Sequence, residues 1–103
     1  MSQDIGCHIE DFKGNVERTS GINFAPIKLR IWKLDEKRVK YPWLHTIDEY
    51  DDTLFNHLQI PHVTGELQRL LNEIDPEFQQ TITALIAFCS GIGYHTYVRF
   101  TGD

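Results

Sequence analysis

Five histidines, two cysteines and four carboxylates gathered around one tyrosine (Asp48, Glu49, Tyr50, Asp51 and Asp52) are the side chains here best suited to bind a metal or move a proton. Zinc sites use closely spaced Cys or His pairs, or a helical His-Glu-x-x-His. His57 and His62 are separated by Pro61 and three other residues, His45 stands alone, and the adjacent Cys7 and His8 would point to opposite faces of a strand. No spacing matches, so neither a metal nor a cofactor is expected. The acidic run fails the calcium-loop pattern as well. A loop opening at Asp48 would need an oxygen ligand at Tyr50, glycine at Thr53 and glutamate at Gln59.

Nucleophilic chemistry fares no better. Ser20, Cys89 and Ser90 are the candidates, but Phe88-Cys89-Ser90-Gly91 lacks the glycine that precedes a strand-to-helix elbow, and it follows a helical pattern instead of leading into one. Gly91-Ile92-Gly93 is likewise on the wrong side of a helix to cradle phosphate and reads as a helix end. Glu66, Glu73 and Glu77 read as the wet side of amphipathic helices. No catalytic residue is assigned, and an enzyme is not the expectation.

Two charged segments carry more information. Between residues 28 and 40, the bases Lys28, Arg30, Lys33, Lys37, Arg38 and Lys40 face only Asp35 and Glu36, and Trp32, Tyr41 and Trp43 lie among or beside them. Cations mixed with stacking groups suit single-stranded nucleic acid. The formal net charge of −5 argues against that use, and lysines on an outer strand face also guard a sheet edge. From residue 41 to residue 80 the only base besides histidine is Arg69. Tyr41-Pro42-Trp43-Leu44-His45 runs directly into the acidic cluster, and large aromatics in an irregular stretch either fold back onto a core or meet a partner.

These groups must be positioned by a core, and its pattern is clear in the last quarter. Phe78, Ile82, Leu85, Ile86 and Cys89 form one stripe of a 3.6-period helix, with Asp75 at its cap and Pro76 in its first turn. From Tyr94 the period drops to two: Tyr94, Thr96, Val98 and Phe100 share one face, and His95, Tyr97, Arg99 and Thr101 the other. Val63, Leu67, Leu70, Leu71 and Ile74 repeat the helical stripe after Pro61. Ile5, Cys7 and Ile9 alternate as a strand, Lys13-Gly14-Asn15 makes a turn, and residues 16–18 pair back. Ile27, Leu29 and Ile31 alternate too and predict a third strand, slipping phase near Trp32. Residues 53–59 fit a short strand or a helical turn.

At 103 residues, 41% hydrophobic and 24% charged, the chain suits a single domain over 1–103 with one ordinary core. The fold expected is an α+β two-layer sandwich: a mainly antiparallel sheet of about four strands, two helices on one face, and the order β-β-β-α-α-β. The closing strand is placed inside the sheet, beside the 27–34 strand. Without a leader pattern or a membrane-length apolar run, a cytoplasmic location is expected, with Cys7 and Cys89 buried and unpaired. The leading functional expectation is a small acidic protein-binding domain, such as a cytosolic inhibitor or immunity protein that neutralises a basic toxin, nuclease or defence enzyme. Its binding residues would be Tyr41, Trp43, His45, Asp48, Glu49, Tyr50, Asp51 and Asp52. The alternatives are a small enzyme or ligand-binding domain using His45, His57 and nearby carboxylates, or a nucleic-acid binder using residues 28–40.

Overall fold

The computed structural model describes residues 4–102. β1 (Gly6–Asp11) turns back into β2 (Val16–Thr19); α1 (Ala25–Leu34) and the single-turn α2 (Pro42–His45) follow. β3 (Asp52–Asn56), α3 (Ile60–Leu70), α4 (Pro76–Ser90) and β4 (Thr96–Thr101) complete the chain. The four strands form one antiparallel sheet in the order β2-β1-β4-β3, and the α+β layer architecture is as expected. β4 is interior, but its neighbours are β1 and β3.

The 27–34 segment is the main correction, because it is helix α1 and not a strand. Phe24, Ile27, Lys28 and Ile31 are buried whereas Leu29 is 61% exposed, so the true apolar spacing is three to four. Ile27 and Ile31 are β-branched, and their alternation with Leu29 imitates a strand. Asn23 and Pro26 are the helix-start signals. Asn23 Oδ1 accepts the N–H groups of Ala25 (3.0 Å) and Ile5 (2.9 Å), tying the helix entry to the sheet. No strand slip at Trp32 is needed, because there is no strand.

In β1, Cys7 and Ile9 face inward, and their register with Phe100 and Val98 sets them beside Phe55 of β3 on one apolar face. That face meets Ile27 and Ile31 of α1, Val63, Leu67 and Leu70 of α3, and Ile82, Leu85 and Cys89 of α4 in one core. The stripe predicted for α4 falls where the period put it, with Phe78 and Ile86 at the core margin, whereas that of α3 holds only through Leu70: Leu71 and Ile74 lie past the helix end, where Ile74 is still buried. β4 starts two residues later than its alternation implies. His95 adopts a positive φ of 67° and turns the chain, leaving Tyr94 73% exposed. Asp75 occupies the cap position of α4, but its carboxylate makes no capping bond and instead pairs with Arg30 Nε at 3.1 Å.

The opposite sheet face is polar. Glu10 is buried there, accepting from Arg99 Nε at 2.5 Å and lying 2.7 Å from His8 Nε2, and Arg99 continues to Asp52 at 3.1 Å. The Arg99 bond outweighs burial and, with His8, holds the Glu10 carboxyl below the ordinary carboxylate range. Cys7 and Cys89 are both buried and free. No helix among the described residues is long and apolar enough to cross a membrane.

Candidate functional site

The segment between α1 and β3 is the least regular of the sequence, and three buried charges fix it in place. Glu66, expected on the wet side of α3, points inward; its carboxylate accepts the N–H groups of Trp43 (3.1 Å) and Leu44 (2.9 Å) at the start of α2. Lys28, expected on a solvated strand face, points inward from α1 to the other end of α2. Its ammonium donates to the carbonyls of Leu44 (3.2 Å), His45 (2.8 Å) and Ile47. An anion meets the N–H end of the turn and a cation its C=O end, each supplying the bonds that a four-residue helix cannot make internally. Burial lowers the Lys28 pKa, and Glu49 and Asp48 oppose that shift.

Asp35 is the third anchor. Its oxygens accept the N–H groups of Val39 (2.9 Å), Lys40 (3.0 Å) and Tyr41 (2.9 Å), and His45 Nε2 lies 3.2 Å away. Burial raises the Asp35 pKa, but the three backbone bonds and His45 more than reverse that, leaving it below the usual value.

With these anchors in place, Tyr41, Leu44 and Ile47 are core residues. The Tyr41 hydroxyl donates to Glu73, which also binds Lys40 Nζ at 2.9 Å, and burial together with Glu73 raises the phenol's pKa well above its ordinary value. Trp43 is half-buried and stacks on His62 with ring centroids 5.1 Å apart. The His45 side chain is 3% exposed. The aromatic half of the expected binding segment therefore turns into the fold, and its acidic half remains outside. Asp48, Tyr50, Asp51 and Asp52 are exposed and Glu49 is half-buried. His57 stands apart from His45 and packs edge-on against Tyr94, so the two histidines do not share a site.

The acidic loop is held by its own polar atoms. Asp48 N–H donates to Thr53 Oγ1 (3.1 Å), Tyr50 N–H to Asp48 Oδ1 (2.7 Å) and Asp52 N–H to Asp51 Oδ1 (2.8 Å). Gly102 N–H donates to the Asp51 carbonyl at 3.1 Å. The fit there is close: a Cβ on Gly102 would lie 2.5 Å from Asp51 N and 2.7 Å from the Asp48 carbonyl oxygen. On this support Tyr50 is 70% exposed between the carboxylates.

A cleft of about 370 Å³ separates the loop from α1, lined in part by Lys28, Trp32, Arg38, His45, Glu49 and Tyr50. Trp32 Nε1 donates to Glu49 Oε1 at 3.3 Å, and the Arg38 guanidinium lies 4.5 Å from the Trp32 ring centroid. Arg38 has a positive φ of 59°. His45 Nδ1 is buried without a hydrogen-bond partner. Elsewhere in the basic segment, Arg30 pairs with Asp75 and Lys40 with Glu73, and Lys33 and Lys37 are exposed. Among the described residues, no three His, Cys, Asp or Glu side chains converge to hold a metal ion.

Sequence reasoning found the acidic loop by charge and missed Lys28, Asp35 and Glu66. The one signal available was Lys28 falling on the Phe24-Ile27-Ile31 helical stripe. Comparison of the chain with protein-family models, curated proteins and solved structures finds no match.

Proposed function

We propose that the protein is a non-catalytic binding domain whose acidic loop, residues 48–52 with Tyr50 at its centre, docks on a basic surface of another protein, as an inhibitor or immunity protein docks on a basic toxin, nuclease or defence enzyme. One observation carries this reading: an exposed tyrosine among carboxylates, on a loop whose backbone is already fixed. Ordering a loop on binding opposes association, so a preordered loop retains more of its contact energy. An exposed tyrosine ringed by like charge has the composition of an interface anchor, and the charge speeds encounter with an opposite surface.

The test uses amides, which preserve the loop's own hydrogen bonds and remove only charge. The combined variant Asp48→Asn, Glu49→Gln, Asp51→Asn is compared with a charge-matched control, Glu17→Gln, Glu36→Gln, Glu77→Gln, as bait for basic proteins in a lysate of the source cells. A partner retained by the parent protein and the control should be lost from the loop variant, and its association with purified parent protein should slow roughly tenfold when the loop charges are removed. A captured set that does not distinguish the two variants removes the loop from the account.

A second reading draws on the unpaired His45 Nδ1. With His45 Nε2–H donating to the Asp35 carboxylate, Nδ1 is left with a bare lone pair beside a cleft that carries both Arg38 and Glu49, a pairing suited to a small zwitterion such as a free amino acid. A saturable change in Trp32 fluorescence on titration with amino acids, absent in Arg38→Ala, would favour it; a flat response from every amino acid would dismiss it.

A further inference from the structure

Gly65 sits near the middle of α3, where glycine costs helix stability relative to alanine, and nothing inside the fold asks for it. Its φ is not positive, and a Cβ built on it would meet no atom of the described residues within 4 Å. The bare backbone instead lines an open groove of about 290 Å³ between α3 and the start of α2. This groove is distinct from the cleft beside the acidic loop. It lies at the end of α2 that Glu66 holds, and the cleft lies at the end that Lys28 holds.

The rest of the lining has a consistent chemistry. Trp43 and His62 stack with their ring planes 10° apart, giving the groove an aromatic wall beside Pro42. Arg69, one turn along α3 from Gly65, gives it a cation. One guanidinium nitrogen donates to the Lys40 carbonyl at 3.1 Å, which fixes the group, and among the described residues no carboxylate pairs with it. The neighbouring charges are already engaged: the Lys40 ammonium is 2.9 Å from Glu73, and the Glu66 oxygens accept the N–H groups of Trp43 and Leu44. We propose that the groove binds a small aromatic carboxylate, its ring against Trp43 and His62 over Gly65 and its carboxylate on Arg69.

A guanidinium presents its donors as a planar fork that matches a carboxylate, and such a charge-assisted pair is among the stronger hydrogen bonds. A ring laid against the helix needs open backbone where a side chain would otherwise stand. Glycine is then kept against its cost to the helix, as residues that serve a site often are. The site is independent of the loop's partner, because residues 48–52 are not among its lining.

The experiment titrates the full chain with benzoate, phenylacetate and indole-3-acetate and follows amide and indole N–H resonances by two-dimensional NMR. Benzylamine and acetate are the controls, the first reversing the charge and the second lacking the ring. The aromatic acids should move Gly65, Arg69 and the Trp43 indole with half-saturation below roughly 1 mM, and leave Trp32 and residues 46–50 in place. Arg69→Gln should weaken binding roughly tenfold. Gly65→Ala separates site from scaffold: it should raise the urea midpoint by about 0.5 M and yet weaken binding by roughly tenfold. The proposal is overturned if the shifts do not saturate, if benzylamine or acetate produces the same ones, or if they fall in the cleft beside Trp32. It is overturned equally if either variant binds as tightly as the parent, or if Gly65→Ala is less stable, which would give the glycine a structural use.

Discussion

Asp35→Ala is expected to lower the unfolding free energy by about 4 kcal/mol, because it leaves the buried Tyr41 N–H and His45 Nε2 without an acceptor and releases the N–H groups of Val39 and Lys40. The loss should be local first. Tyr41 would withdraw from Glu73, and the chain from residue 36 to residue 41 would exchange its amide protons at rates near those of an open loop. Acid adds a sign that can be checked. The Asp35 carboxyl titrates below its ordinary value in the folded protein, so its contribution is complete above the unfolded-chain value of 3.8 and is lost as pH falls through the lowered folded pKa. Glu10 and Glu73 are shifted in the same direction, and stability should fall steeply in that acid range. Asp35→Asn keeps an acceptor but not the proton linkage, so its stability should depend less on pH over the same interval. Urea unfolding across a pH series reads both effects. A parent-like acid slope in Asp35→Asn would show that Asp35 contributes nothing to the linkage.

Lys28→Met should cost about 3 kcal/mol, nearly all of it from the carbonyls of Leu44, His45 and Ile47 losing their shared donor. Methionine fills similar space and avoids burying a charge, so the cost measures those bonds and not a cavity. The effect should spread in one direction: α2 frays from its C-terminal end, Ile47 loosens, and the 48–52 loop loses its fixed start. Hydrogen exchange at residues 46–50 should rise while α3 and α4 stay protected. A variant as stable as the parent would mean that water replaces the ammonium at those carbonyls.

The parts of the fold legible in the sequence are those where an apolar period runs long enough to exclude the other. α4, with Ile82, Leu85 and Cys89 buried, and β4, with Val98 and Phe100 buried, satisfy their periods along most of their length. α1 is short and its β-branched residues alternate, so Ile27, Leu29 and Ile31 fit both readings until tertiary burial selects Ile27 and Ile31 and leaves Leu29 out. α2 is a single turn that no periodicity can reveal. Half of the candidate site was legible for the same reason in reverse: Asp48 to Asp52 are visible as charge because charge ordinarily stays in water. Lys28, Asp35 and Glu66 break that rule. Each is buried because backbone groups from a distant segment meet it, and such a meeting leaves no mark in the spacing of residues along the chain.

The grip of Lys28 on the Ile47 carbonyl ends one residue before the acidic loop begins. Mutational drift in that loop is therefore not free: a change that shifts residue 47 also exposes or strands an ammonium beneath α1. Lineages of this protein should vary the carboxylates at 48–52 readily and the lengths on either side of them hardly at all, so that a new target is met by exchanging side chains on a frame whose path does not move.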